Sequence, residues 1–209
     1  MNDRTESQIV LVVDDDPSVR NALAYLFESM ELPVKAFATA SELLHSKLPD
    51  IPSCLVLDIR LPGGSGLDFQ DALAKAGIQI PIVFLTGHGD IPMSVKAMKA
   101  GAVDFLTKPF RDQDMLDAVQ RALDKDRKRR EDVKAASDLR QRFQSLTLRE
   151  REVMTLATSG LRNKQIAYQL QIEEITVKIH RGRAMKKMEA RSFADLVKMA
   201  ELLGIKRTA

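Results

Sequence analysis

The sequence contains a single cysteine, Cys54, so the chain cannot form an intrachain disulfide. No stretch approaches the roughly 18 apolar residues of a membrane-spanning helix, and the first nine residues lack the apolar region of a secretory signal. The three histidines are scattered, and no Cys/His cluster has zinc-ligand spacing. We therefore expect a cytoplasmic protein with no membrane segment, and we expect Cys54, which has apolar neighbours, to be buried and inert.

The charge of the chain is distributed unevenly along its 209 residues, a length that favours two domains. Residues 1–125 hold 12 Lys and Arg against 18 Asp and Glu, a net charge of −6. Residues 126–209 hold 20 against 11, a net charge of +9. A basic half is typical of a nucleic-acid-binding module, although a solvated basic surface would give the same count.

The N-terminal half alternates short apolar runs with segments of helical apolar spacing. An apolar run without polar alternation is typical of a strand buried on both faces of a parallel sheet. Five strand-then-helix repeats predict an α/β fold, a (βα)5 doubly wound parallel sheet. The predicted strands are Ile9 to Val13, Val34 to Phe37, Cys54 to Leu57, Ile80 to Leu85 and Ala102 to Leu106.

A charged run, DKDRKRRED at residues 124–132, follows the last predicted strand-helix unit, and no Pro or Gly occurs from there to Gly160. This composition predicts that the fifth helix continues as a linker whose charges are solvated, an interpretation favoured over a contact with nucleic acid. Beyond Ser145 the pattern indicates four short helices. The predicted domains are residues 1–124, a helical linker at 125–144, and an all-α domain at 145–209.

Acidic residues end two of the predicted strands. Asp14, Asp15 and Asp16 follow the first strand and Asp58 follows the third, so the sheet model brings carboxylates together at one edge. An acidic turn before a proline is also good helix-capping chemistry, which alone would explain the triplet. Thr86 and Lys108, at the ends of the fourth and fifth strands, favour a phosphoryl-binding site instead.

The set Asp14, Asp15, Asp58, Thr86 and Lys108-Pro109 resembles the receiver domain of two-component response regulators over about residues 6 to 125. The resemblance implies that Asp58 accepts phosphate from a cognate histidine kinase. It further implies that Asp14, Asp15, Asp58 and the Arg60 main-chain carbonyl hold Mg²⁺ (or Mn²⁺), and that Lys108 binds the phosphate.

The stretch TGHGDIPMSVKAMKAGAVDFLTKPF, from Thr86 to Phe110, is similar to the FixJ branch of these receivers. By that resemblance Thr86 is the switch hydroxyl and Phe105 the aromatic switch residue; the less favoured alternative for Phe105 is a plain core residue. Asp16 is interpreted as a helix cap. His88 is left outside the predicted site, because a loop histidine is more often structural or solvent-facing.

The C-terminal region carries two short helices separated by a tight turn, Asn163 to Leu170 and Glu174 to Met188, which is the pattern of a helix-turn-helix. Its LTLREREV opening, NKQIA centre and TVKIHR segment resemble the LuxR-type (NarL/FixJ-like) domain. The apolar positions predicted to share one small core are Val153, Leu156, Ile166, Leu170, Val177, Ile179 and Met185. Gly160 is predicted to end the first helix.

The resemblance places Lys178 at a base-contacting position of the recognition helix, and Arg181 one turn later could reach bases or phosphate. The predicted backbone contacts are Thr176, Arg183 and Lys186. Gly182 departs from the family pattern, because glycine inside a helix costs about 1 kcal/mol relative to alanine. Glu173-Glu174-Ile175 replaces the usual Ser-containing entry and predicts a weaker cap.

These observations predict a phosphorylation-activated, non-enzymatic DNA-binding transcription regulator. Its expected partners are a histidine kinase, double-stranded promoter DNA and a second copy of the chain upon phosphorylation, with RNA polymerase as a further candidate. One alternative is a signalling adaptor whose helical domain binds protein. Another is a Mg²⁺-dependent phosphatase or phosphotransferase acting on small molecules, although no substrate-binding insertion follows the strands.

Overall fold

The computed structural model describes residues 8–62, 64–87 and 91–205, without the side chain of residue 91. The chain divides into two compact units, residues 1–130 and 131–209, and each is described by itself. The domain limits predicted from the sequence remain a prediction. Within the described residues, no helix combines the length and apolar character needed to cross a membrane.

The first unit is an α/β sandwich around a five-stranded parallel sheet, which confirms the predicted fold class. The strand order is β2-β1-β3-β6-β7. A two-stranded antiparallel hairpin, β4-β5, was not predicted. The elements are β1 (Ile9–Val13), α1 (Pro17–Ser29), β2 (Val34–Phe37), α2 (Ala40–His45), β3 (Ser53–Asp58), β4 (Arg60–Leu61), β5 (Gly64–Ser65), α3 (Gly66–Lys75), β6 (Ile82–Thr86), α4 (Ile91–Lys99), β7 (Asp104–Thr107) and α5 (Asp112–Gln144).

The continuous apolar runs are explained by burial on both faces of the sheet. Successive residues of β1 alternate between two hydrophobic clusters: Leu11 packs in one, whereas Val10 and Val12 pack in the other. Cys54 is fully buried in β3, and desolvation raises the pKa of its thiol, as expected for an inert cysteine.

The strand order sets the place of the candidate site. β1 lies between β2 and β3, and the register pairs Val13 with Leu57. The next residues along the two strands are Asp14 and Asp58, so both carboxylates lie at the carboxyl edge of the sheet. This is the edge at which doubly wound sheets bind their ligands.

Helix α5 runs without a break from Asp112 to Gln144, which confirms the predicted helical linker. Met115, Val119 and Leu123 pack into the core of the first unit. The prediction that its charged run is merely solvated is wrong at Asp126, which is fully buried. That carboxylate accepts hydrogen bonds from arginines of the same run and from the backbone N–H at the start of β3.

The second unit contains α6 (Leu148–Thr158), α7 (Asn163–Leu170), α8 (Glu174–Lys187) and α9 (Phe193–Leu202), as the predicted all-α domain requires. Gly160 follows α6 with φ +101°, a left-handed conformation that favours glycine. Most predicted core positions are buried or half-buried, but the prediction for Ile179 is wrong, because its side chain is 46% exposed. Leu139 and Phe143, from the end of α5, pack on this unit's core.

Candidate functional sites

Asp14, Asp58 and Lys108 form an ion-paired cluster at the carboxyl edge of the sheet. Lys108 Nζ lies 2.6 Å from Asp14 Oδ2 and 2.6 Å from Asp58 Oδ2. Asp14 is 1% exposed and Asp58 7% exposed, so one ammonium group compensates two largely desolvated carboxylates. The sequence predicted all three residues for this site.

The acidic turn after β1 is fixed by local hydrogen bonds. Asp14 Oδ1 accepts from the Asp16 backbone N–H at 2.9 Å, and Asp16 Oδ1 accepts from the Ser18 N–H at 2.8 Å, so Asp16 caps α1 as predicted. Arg20 Nη1 donates to the main-chain carbonyls of Asp14 and Asp15, at 2.7 and 2.9 Å. Arg20 was not among the predicted residues, because its spacing from the acidic turn is an ordinary helical one.

Asp58 is oriented by the segment that follows β3. Its Oδ1 atom accepts from the Arg60 backbone N–H at 2.9 Å. Gly66 begins α3 so close to this segment that a Cβ atom there would lie 2.5 Å from the Asp58 carbonyl oxygen. Only glycine therefore fits at residue 66 without displacing the backbone of the phosphoacceptor candidate.

The carboxylates of Asp14, Asp15 and Asp58 together fit a divalent cation. One carboxylate oxygen from each of Asp14, Asp15 and Asp58 lies within 4.8 Å of the others, and Asp15 is exposed to solvent. An all-oxygen set of this kind suits Mg²⁺ or Mn²⁺. The residues present are therefore able to hold the metal that the sequence predicted.

The other predicted residues of this site lie on β6 and β7 or just after them. Thr86 is buried and pairs in register with Thr107, and its carbonyl accepts from the Lys108 backbone N–H at 2.7 Å. The Lys108–Pro109 peptide bond is cis. Phe105 is half-buried, lies opposite Phe84 in the sheet and packs against the core. His88 lies outside the described residues.

Burial and ion pairing act in opposite directions on the ionisable groups. Burial would lower the pKa of the Lys108 ammonium, but its hydrogen bonds to Asp14 and Asp58 outweigh this effect and raise the pKa above its ordinary value. Desolvation raises the pKa of Asp14 in spite of those bonds, and the charge of Asp58 adds to the increase. A cation at this place therefore compensates the charge of the two largely buried carboxylates.

In the second unit, the predicted DNA-contacting residues lie on the solvent-exposed surface of α8, with one exception. Lys178, Arg183 and Lys186 are exposed and Thr176 is half-buried. Lys178 Nζ lies 3.5 Å from Glu174 Oε1. Because this ion pair is exposed and weak, the lysine can readily leave Glu174 for another partner. Glu173 precedes the helix without a side-chain cap, as predicted.

Arg181 is the exception. Its guanidinium carbon lies 4.0 Å from the centre of the Phe193 ring, and Nη1 donates to Asn163 Oδ1 at 3.3 Å. These contacts tie α8 to α9 and α7 within the domain. The predicted contact of Arg181 with DNA stays a prediction, and its contacts in this structure are structural ones.

The sequence did not predict that two isoleucines on α8 are exposed at the surface. Ile175 is 63% exposed and Ile179 46% exposed. At spacings of three, four and seven residues they share a helix face with Lys178 and Gly182, and a Cβ atom at Gly182 would meet nothing within 4 Å. Ile179 was assigned to the core because apolar spacing alone does not distinguish a buried stripe from an exposed one, whereas Ile175 was assigned to no site.

The LTLRE opening of the domain has a structural explanation. Thr147 and Glu150 form a reciprocal capping box at the start of α6. Glu150 Oε2 also accepts from Lys187 Nζ at 2.7 Å, which connects α6 to the end of α8. The motif therefore fixes the position of the helix that carries the exposed basic residues.

A doubly wound domain with this acidic cluster, followed by a helix-turn-helix, defines the class of receiver-containing DNA-binding regulators. Comparison with known protein families assigns the chain to the same class. Residues 10–120 match the response regulator receiver domain, and residues 144–200 match the luxR family of bacterial regulatory proteins. The chain belongs to the two-component response regulators that join these two domains, the NarL/FixJ family, and it is a DNA-binding transcription regulator.

Similar proteins include several named as regulators and one named as a nodulation protein. The chain is 59% identical over 197 residues to Nodulation protein W of Bradyrhizobium diazoefficiens, covering 94% of this chain and 87% of that protein. It is 42% identical over 200 residues to the transcriptional regulatory protein FixJ of Azorhizobium caulinodans, covering 96% and 95%. The solved structure of the response regulator StyR matches with a TM-score of 0.85 and 48% identity, covering 93% and 98%. None of these matches supports the adaptor alternative.

Proposed function

We propose that Asp58 is the phosphoacceptor of this regulator and that a histidine kinase is the donor. The observation that carries the proposal is the position of Lys108 Nζ, 2.6 Å from both Asp58 and Asp14, at the carboxyl edge of the sheet. A carboxylate next to a fixed ammonium group can attack a phosphoryl group while the ammonium neutralises the incoming oxygens.

The proposed reaction transfers a phosphoryl group from nitrogen to oxygen. An Asp58 carboxylate oxygen attacks the phosphorus of the phosphohistidine, the P–N bond breaks and the imidazole leaves, giving an aspartyl phosphate. Lys108 then pairs with the phosphoryl oxygens. The Arg60 N–H holds Asp58 Oδ1 during this step and leaves Oδ2, the oxygen next to Lys108, as the nucleophile.

Asp14, Asp15, Asp58 and the Arg60 main-chain carbonyl would hold Mg²⁺ (or Mn²⁺). The metal, when bound, neutralises charge on the phosphoryl oxygens during transfer. The proximity of the three carboxylates, within 4.8 Å of one another, supports this assignment, and the Arg60 carbonyl comes from the family resemblance.

Phosphorylation would act through Thr86 and Phe105. The Thr86 hydroxyl would turn toward the phosphoryl group, and the Phe105 ring would move into the space that the hydroxyl vacates.

Val95 and Met98 are each 46% exposed on α4, next to β7. This exposed apolar surface favours formation of a homodimer. In this proposal the receiver comprises residues 1–124, the linker 125–144 and the DNA-binding domain 145–209, and the protein acts in the cytoplasm without enzymatic turnover.

Helix α8 would enter the major groove of promoter DNA. Lys178 would contact base edges, while Thr176, Arg183 and Lys186 would contact the backbone. The exposed Ile175 and Ile179 add apolar surface suited to thymine methyl groups. RNA polymerase is the further partner proposed for a regulator bound at a promoter.

Two measurements on the full chain test this function. Incubation with a labelled acyl phosphate and Mg²⁺ should label the wild type and Asp71→Asn, an exposed control, but not Asp58→Asn. Selection of binding sites from random DNA, with and without the acyl phosphate, should give a sequence preference that strengthens on phosphorylation. Labelling of Asp58→Asn at the wild-type level, or binding without dependence on salt or sequence, would refute the proposal.

A further inference from the structure

Arg20 lies next to the acidic turn, at a place where its own helix disfavours a cation. It is the fourth residue of α1, and the N-terminal turn of a helix carries a partial positive charge. Its side chain nevertheless turns back toward the start of the helix. Nη1 donates to the main-chain carbonyls of Asp14 and Asp15, at 2.7 and 2.9 Å. One guanidinium nitrogen therefore connects two successive peptide groups of the turn.

These two hydrogen bonds restrain the backbone that carries the carboxylates, and they leave the carboxylate oxygens free to bind a metal. Rotation about the Cα–C bond sets the angle between the carbonyl and the Cβ atom of a residue, so a carbonyl that is held in place limits where the side chain can point. The carboxylates of Asp14 and Asp15 are two of the three whose oxygens lie within 4.8 Å of one another. Arg20 therefore influences the direction in which both carboxylates leave the turn.

The two aspartates differ in how many other contacts hold them. Asp14 Oδ1 accepts from the Asp16 backbone N–H, and its Oδ2 accepts from Lys108 Nζ. Asp15 is exposed, and within the described part of the chain its one hydrogen bond is the bond from Arg20 to its carbonyl. Asp15 is therefore the carboxylate whose position depends most on Arg20.

The charge of Arg20 and its hydrogen bonds act on a bound cation in opposite directions. A guanidinium group near the site repels a divalent cation and by itself weakens binding. Groups that orient metal ligands strengthen binding, and their removal typically lowers metal affinity by roughly 10- to 100-fold. Replacement of Arg20 by an apolar residue therefore raises metal affinity if the arginine acts as a charge, and lowers it if the arginine holds the ligands in place.

We propose that Arg20 is a positioning residue for the divalent cation and that it favours Mg²⁺ over Ca²⁺. Mg²⁺ demands near-ideal octahedral geometry, whereas Ca²⁺ accepts flexible sets of roughly six to eight oxygen ligands. A loosened Asp15 therefore weakens the binding of Mg²⁺ more than the binding of Ca²⁺. This role of Arg20 rests on the proposed metal site of Asp14, Asp15 and Asp58.

Calorimetric titration of the full-length protein with Mg²⁺ alone and with Ca²⁺ alone tests the proposal. Arg20→Met should bind Mg²⁺ about tenfold more weakly than the wild type, and Ca²⁺ less than about threefold more weakly. The control is Arg111→Met, which removes an exposed cation that contacts neither carbonyl, and it should bind both metals as the wild type does. Unchanged or raised affinity of Arg20→Met for Mg²⁺ overturns the proposal, and equal losses for the two metals overturn the preference for Mg²⁺.

Arg20→Lys separates the positioning role from a general loss of structure. Lysine keeps the positive charge and donors for the carbonyls, but it lacks the planar guanidinium. Arg20→Lys should therefore recover Mg²⁺ affinity to within about threefold of the wild type. If Arg20→Met does not unfold cooperatively in urea, Arg20→Lys decides the question by itself. A loss of Mg²⁺ affinity that exceeds its loss of Ca²⁺ affinity supports the proposal, and unaltered Mg²⁺ affinity overturns it.

Labelling with the acyl phosphate gives a second readout on the same variants. The Mg²⁺ concentration that half-saturates the labelling rate should rise about tenfold in Arg20→Met, and an unchanged value overturns the proposal. The two levels of inference fail in different ways. Failure of the wild type to bind Mg²⁺ refutes the proposed metal site, whereas normal binding by both the wild type and Arg20→Met refutes the role of Arg20 alone.

Discussion

The carboxylate of Asp126, on α5, accepts a hydrogen bond from the backbone N–H of Ser53, the first residue of β3, at 3.0 Å. The two residues are 73 positions apart. Arg129 and Arg130 donate to the same carboxylate at 2.7 to 2.9 Å, and Arg130 also pairs with Asp50 at 2.7 Å. This cluster fastens the middle of α5 to the edge of the sheet that lies opposite the phosphorylation site.

Breaking this cluster should destabilise the first unit. Asp126→Asn replaces one accepting oxygen by an NH₂ group that faces the guanidinium donors, so we expect a loss of about 3 kcal/mol in the free energy of unfolding. Asp124→Asn, two residues earlier and exposed on the same helix, should change it by less than about 0.5 kcal/mol. Urea denaturation of both variants checks the difference, and equal effects would contradict it.

Lys108 should compete with the metal for the same carboxylate oxygens. Its ammonium group lies 2.6 Å from Oδ2 of Asp14 and of Asp58, so its removal should raise the affinity for Mg²⁺ on the order of tenfold. Calorimetric titration of Lys108→Met with Mg²⁺ measures this, with the exposed Lys99→Met as the control. The same variant should lose stable phosphorylation-dependent DNA binding. Weaker Mg²⁺ binding by Lys108→Met would show that the lysine does not compete.

Glu150 should make the stability of the second unit depend on pH. Burial by itself would raise the pKa of Glu150, but hydrogen bonds from Lys187 and Thr147 outweigh it and lower the pKa below its ordinary value of 4.5. A lowered folded-state pKa gives stability that is present above the unfolded-state pKa and is lost as the pH falls through the folded-state value. Glu150→Gln should therefore cost about 2 kcal/mol at pH 7.

The difference between Glu150→Gln and the wild type should shrink as the pH falls below about 4.5. Urea denaturation at several pH values tests this, with Glu152→Gln on the same helix as the control. A difference that stays constant down to acid pH would mean that the ionised form of Glu150 is not the stabilising one.

Gly182 should lower the free energy of unfolding of the second unit, although the fold does not require a glycine at this position. A Cβ atom at this position meets nothing within 4 Å, and the helix is regular there. Gly182→Ala should raise the free energy of unfolding of the second unit by about 1 kcal/mol. Thermal unfolding measures the change, and destabilisation would contradict the open surface seen at this residue.

Arg183 and Arg181 should affect DNA binding differently. Arg183→Met should weaken binding similarly on all sequences and reduce the slope of log affinity against log salt by about 1. Arg181→Met should leave that slope unchanged and destabilise the domain by about 1 kcal/mol, because it loses the contact with Phe193. Binding measured at several salt concentrations separates the two, and a reduced slope for Arg181→Met would instead support the predicted contact of Arg181 with DNA.

The sequence by itself determined the fold class and the composition of the acidic site. Asp14 and Asp58 each follow an apolar run, and parallel strands must present their carboxyl ends at one edge, so local pattern and topology together were sufficient to place them. The helix-turn-helix could also be predicted from the sequence. Its two helices, Asn163–Leu170 and Glu174–Lys187, are short, have periodic apolar residues and are separated by a tight turn.

Only the tertiary structure decided which side chains each helix surface buries. Asp126 was assigned to solvent within a charged run, but its partner is a backbone N–H 73 residues away, and no local pattern contains that information. Ile179 was assigned to the core, although the packing of α8 leaves its side chain exposed, and the contact of Arg181 with Phe193 was not predicted. Periodicity specifies that a helix has two faces, whereas the neighbouring elements determine which of them meets water.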